Sequence, residues 1–130
     1  MKMSEKFIRA PQALCDFDRH VPAPYLRKTF TLDFEPARAE ITICGLGFFE
    51  LYLNGKRVSD DLFVPANSHY HAYDDCFCAR EFGEEMASRV YALRYDLAPY
   101  LQNGENELTA VVAPGWYFRY GCCKLCVSGS

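Results

Sequence analysis

This 130-residue chain has few helix signals, no long apolar run and no cluster of one charge. No stretch approaches the roughly 18 apolar residues that a membrane-spanning helix needs, so no membrane segment is expected. The N-terminal MKMSEKFIRAP carries charges but no apolar core, which leaves no secretory signal and makes a cytoplasmic location the expectation. Lys and Arg number 14 against 17 Asp and Glu, a net charge of −3, and no basic run supplies the electrostatic footprint of a nucleic-acid binder. The stretch GLGFFE lacks the spacing of a phosphate-cradling loop and no helix pattern follows it. There is no nucleophile elbow, no Ser-His-Asp constellation, no internal repeat and no low-complexity tract.

What is present is apolar material in short, alternating pieces. Half of the residues are hydrophobic and 15% are aromatic, enough to fill a core and too many for a disordered chain. The length fits one domain. Residues 1–24 read as an irregular arm, because Pro11, Pro22 and Pro24 interrupt any regular element. The domain proper is expected over residues 25–130. In LRKTFTLDF, Leu26, Lys28, Phe30 and Leu32 fall on one face and Arg27, Thr29, Thr31 and Asp33 on the other, which is strand periodicity. AEITICGLGFF reads as a second strand with Ile41, Ile43 and Leu46 facing in, bent or bulged at Gly45 and Gly47.

FFELYL followed by Asn54-Gly55 and KRV is a strong hairpin signal, since a type I′ turn needs positive φ at both central residues. RVYALRYDL and ELTAVVA are further alternating segments. Between them, Asp96 can cap a short turn at LAPYL, and QNGEN holds a second Asn-Gly turn in which Gly104 is structural. The long segment 59–88 reads as irregular, with a helical turn near 82–88. Many short strands separated by Gly, Pro and Asn turns predict an all-β fold, an antiparallel jelly-roll-like β-sandwich.

Three motifs, in the order YLRKTFTL, GLGFFELYLNGKRVSDDLFVP and YDLAPYLQNGENELTAVVAPGWY, carry a family resemblance over residues 25–117. The chain resembles the N-terminal β-sandwich domain of bacterial α-L-rhamnosidases. In that family the enzyme removes terminal α-L-rhamnose by inversion, and its acid and base lie in a separate helical barrel. The resemblance therefore implies a non-catalytic domain whose partner is the catalytic domain of a parent glycosidase. Two departures stand out. HYHAYDDCFCAREFGEEMASR is inserted before the YD motif, and only about a dozen residues follow GWY where the family continues with further strands. A truncated domain is expected, with an unpaired sheet edge that the CCKLCVSGS tail or a second copy of the chain would pair, giving a homo-oligomer in the latter case.

Candidate site residues fall mostly in the inserted region. Glycoside hydrolysis needs two carboxylates set several ångströms apart across the scissile bond. The pairs available, Asp60/Asp61, Asp74/Asp75 and Glu84/Glu85, are sequence neighbours, so no catalytic residues are assigned. Some rhamnosidase sandwich domains bind sugar through a calcium ion held by acidic loop residues. By that resemblance Asp74 and Asp75 are the candidate calcium ligands, and Asn67, Tyr70, Asp74, Asp75 and Trp116 the candidate contacts to a rhamnose-containing carbohydrate. Trp116 also belongs to an aromatic run with Tyr117, Phe118 and Tyr120 that reads first as a core and interdomain anchor. A zinc reading draws on Cys123, Cys126, Cys76, Cys78, His69 and His71, though the CxxC is single. The seven cysteines are odd in number and follow no disulfide framework, so reduced thiols are expected.

Overall fold

A computed structural model describes residues 7–11, 22–65, 91–113 and 124–129. These residues form seven strands: β1 (Tyr25–Leu32), β2 (Glu40–Leu46), β3 (Phe48–Leu53), β4 (Lys56–Arg57), β5 (Leu93–Asp96), β6 (Gly104–Ala113) and β7 (Lys124–Gly129). All strand pairs are antiparallel. They make a four-stranded sheet of order β1-β6-β3-β4 and a three-stranded sheet of order β5-β2-β7. The only helical element among the described residues is one 3-10 turn at Ala98–Tyr100. The all-β antiparallel expectation holds, and no described helix is long and apolar enough to cross a membrane.

Period-two patterning builds the sandwich. β3 alternates half-buried Phe48, Glu50 and Tyr52 with buried Phe49, Leu51 and Leu53. The buried set meets Ile41 and Ile43 of β2 and Ala110 and Val112 of β6 in one core, joined by Val58 and Leu97, with Leu26, Phe30, Leu93 and Tyr95 packed at its margin. Both sheets thus face a shared interior, as the amphipathic strands require. Truncating the fully buried Leu53 to alanine in such a core costs about 2–5 kcal/mol. β2 departs from simple alternation, with every residue from Ile41 to Leu46 buried. It is the central strand of its sheet, and Thr42 and Cys44 are buried along with the isoleucines.

The predicted bend in GLG is a change of sheet. β2 ends at Leu46 and β3 begins at Phe48 in the other sheet, with Gly47 between them at φ 125°, a conformation that favours glycine. Gly45 answers a different need: a Cβ there would lie 2.8 Å from the Phe49 ring. The chain can turn this tightly only where a side chain is missing.

The Asn54-Gly55 turn has φ of 52° and 75°, positive at both centres as a type I′ hairpin demands, and it registers Tyr52 against Arg57. The tail also forms a strand, as one reading of it anticipated: β7 pairs with β2 from Ile41↔Gly129 to Leu46↔Lys124. Asp96 accepts the Ala98 amide at 3.0 Å and starts the short turn read from the sequence, with Pro99 near its beginning.

The aromatic pair beside the hairpin divides between the two faces of β3. Phe49 is buried, but Phe48 points to the opposite face and meets the exposed Phe63 edge to face, with ring centroids 5.7 Å apart. A one-residue step along a strand reverses the face, so two adjacent phenylalanines cannot both enter one core.

Candidate functional site on the outer sheet face

The sugar and calcium candidates Asn67, Tyr70, Asp74, Asp75 and Trp116 all lie outside the described residues, as do the 82–88 turn and His69, His71, Cys76, Cys78 and Cys123. Among the described residues no group of three or more His, Cys, Asp or Glu could hold a metal ion. Asp60 and Asp61 are described. They are exposed neighbours on the loop after β4.

What the described residues bring together is the outer face of the four-stranded sheet. Tyr25 of β1 sits opposite Val111 of β6, which on its other side faces Glu50 of β3. One step along, Arg27 sits opposite Thr109, which faces Tyr52. β1 and β3 are two strand spacings apart, about 10 Å, so the two tyrosines flank β6 diagonally.

Polar groups between them are paired. Tyr52 Oη donates to Glu50 Oε2 at 2.7 Å, and Arg57 Nη2 donates to Glu50 Oε1 at 2.9 Å. Arg57 also donates to the Asp61 carbonyl at 3.2 Å. Its Nε is buried without a hydrogen-bond partner. Across β6, Arg27 forms an ion pair with Glu107, and Thr109 Oγ1 donates to Glu107 Oε1 at 3.3 Å. The hydrogen bond to Glu50 holds the Tyr52 phenol above its usual pKa, because ionisation would set two anions against each other; burial and the Glu50 charge add to it. Tyr95 is also raised, first by burial and then by the charge of Asp61, with a Ser59 hydrogen bond acting the other way.

The far end of the same face is apolar. Phe48, Leu62, Phe63, Val111 and Ala113 line a cleft of about 380 Å³. Phe63 is 75% exposed and has φ 55°, an uncommon conformation for a bulky residue. The segment is tied to β3 by a bridge from the Phe49 amide to the Val64 carbonyl at 2.8 Å. Sequence reading missed this assembled face. Alternation does place Arg27 and Thr29 together, but nothing local announces that β6 inserts between β1 and β3.

Two antiparallel sheets over one core, with an exposed mixed face, define a β-sandwich module. A family model for the alpha-L-rhamnosidase N-terminal domain matches residues 34–75. An alpha-L-rhamnosidase of Formosa agariphila is 33% identical over 95 residues, 73% of this chain and 8% of that protein. The alpha-L-rhamnosidase structure from Dictyoglumus thermophilum matches at TM-score 0.66 and 29% identity, covering 83% of this chain and 11% of that one. The Streptomyces avermitilis alpha-L-rhamnosidase, solved in complex with L-rhamnose, matches at TM-score 0.65 and 28% identity over 83% of this chain and 10% of that one. In sequence and in fold, the chain is related to the N-terminal domain of α-L-rhamnosidases. It spans about 8% of the length of the curated relatives it matches.

Proposed function

We propose that this chain acts as a non-catalytic accessory domain of an α-L-rhamnosidase-like glycoside hydrolase, packing against the catalytic part of such an enzyme and contributing to carbohydrate binding. The observation that carries the reading is the match itself: a small β-sandwich that corresponds to the N-terminal domain of much larger glycosidases. The Phe48–Phe63 cleft supports the packing role, since exposed aromatic surface at one end of a sheet is what a domain interface uses.

A chimera tests the reading. The corresponding N-terminal domain of the Formosa agariphila relative is deleted, and this chain is grafted in its place. Deletion should lower the soluble yield and thermal stability of that enzyme, and the graft should restore them. The chain alone should release no aglycone from an aryl α-L-rhamnoside. Turnover by the isolated chain, or a graft no better than the deletion, overturns the proposal.

A further inference from the structure

We propose that the outer face of the four-stranded sheet, between Tyr25 and Tyr52, binds a neutral oligosaccharide. It rests on the accessory-domain reading only for the choice of sugar. The first argument is charge. Arg57 is paired with Glu50 and Arg27 with Glu107, so two cations and two anions cancel in place. The strip between the tyrosines therefore offers no surplus cation to draw a polyanion and no surplus anion to draw a basic peptide. The second is desolvation. Covering these pairs with an apolar protein surface would strip water from four charges with nothing to replace it. A ligand dense in hydroxyls does replace it.

The third argument is spare hydrogen-bonding capacity. Each Glu50 oxygen has one described partner, while a carboxylate offers about four acceptor sites, and a guanidinium has five N–H donors of which Arg57 uses few. The fourth is the rings. Tyr25 is 69% exposed at one side of this polar strip and half-buried Tyr52 stands at the other, fixed by its bond to Glu50. Tyrosine offers an apolar face to C–H groups and a polar tip to hydroxyls at low entropic cost. Sugar rings present both kinds of surface. The strip runs across three strands of rigid sheet, which pre-organises it.

Titration of isotope-labelled full chain with an α-linked L-rhamnose disaccharide, followed by amide chemical shifts, tests this. The expected result is saturable movement of amides in residues 25–27, 50–52 and 107–111, unchanged by a calcium chelator. Y25A and Y52A should each weaken binding by tenfold or more, with the melting temperature of Y25A unchanged because that side chain is exposed. Shifts confined to residues 67–75 and 114–118, dependence on calcium, or no binding would overturn the sheet-face site. The chimera result is independent of all three, so the accessory-domain reading can survive the failure of this one.

Discussion

The chain contains two Asn-Gly steps, Asn54-Gly55 and Asn103-Gly104, and the fold uses them differently. At the first, both residues have positive φ and the asparagine side chain makes three hydrogen bonds. Asn54 Nδ2 donates to the Tyr100 carbonyl at 2.9 Å and to Asn106 Oδ1 at 2.8 Å, while its Oδ1 accepts the Glu107 amide at 2.9 Å. At the second, only Gly104 has positive φ, at 95°, and Asn103 is exposed. The working asparagine there is Asn106, 1% exposed, which donates to the Gln102 and Gly104 carbonyls and accepts from the Gln102 amide and from Asn54. The same dipeptide is in one case a turn and a clamp, and in the other a backbone bend next to a clamp. Together the two asparagines lock the tip of the β3–β4 hairpin onto the start of β6, and so fix the relative height of strands whose outer faces form the candidate site.

The largest consequence falls on Asn106. Its four hydrogen bonds use its whole amide capacity inside the protein, and removing it orphans the groups around it at about 1–3 kcal/mol each. Asn106→Ala should destabilise the chain by about 3 kcal/mol or more, read as a lower urea midpoint at unchanged slope. An exchange below about 1 kcal/mol would mean that water substitutes fully for the side chain and that the clamp is not structural. Asn54→Ala should cost less, about 2 kcal/mol, because its surroundings are half-exposed and water can reach the freed groups. In a double-mutant cycle the two losses should fail to add, since each asparagine is the other's partner; coupling energies between contacting groups run about 0.5–3 kcal/mol.

Much of the fold was legible in the sequence, for local reasons. The Leu26 and Phe30 face of β1, the type I′ turn and the change of direction at Gly47 each depend on two or three neighbouring residues whose geometry leaves few options. Asn106 was not legible as core. A polar residue two places after Asn-Gly reads as part of an exposed turn, and its burial becomes affordable only because Gln102, Gly104 and Asn54 converge on it from separate segments. The outer sheet face was hidden for a related reason. Tyr25 and Glu50 are brought to opposite sides of Val111 by a strand that comes far later in the chain, and period-two alternation gives a residue's face without giving its neighbours. The sugar and metal candidates at 67–75 and 116 were chosen by residue type along a stretch with no periodicity, where the sequence offers composition but no geometry.

The smallest effects lie in the two turns themselves, and they sharpen the contrast most cleanly. An added Cβ meets nothing within 4 Å at either Gly55 or Gly104, so alanine there probes backbone conformation without steric interference. Gly55, at φ 75°, is near the left-handed well that other residues enter for about 1 kcal/mol. Gly104, at φ 95°, lies farther from it, so Gly104→Ala should cost more than Gly55→Ala, each by about 1–2 kcal/mol on urea unfolding. Asn103→Ala should change stability by no more than about 0.5 kcal/mol, as exposed positions without special geometry do. If Asn103→Ala instead matched Asn54→Ala, the two steps would be equivalent turns, and the division of labour between a clamping asparagine and a bending glycine would be wrong.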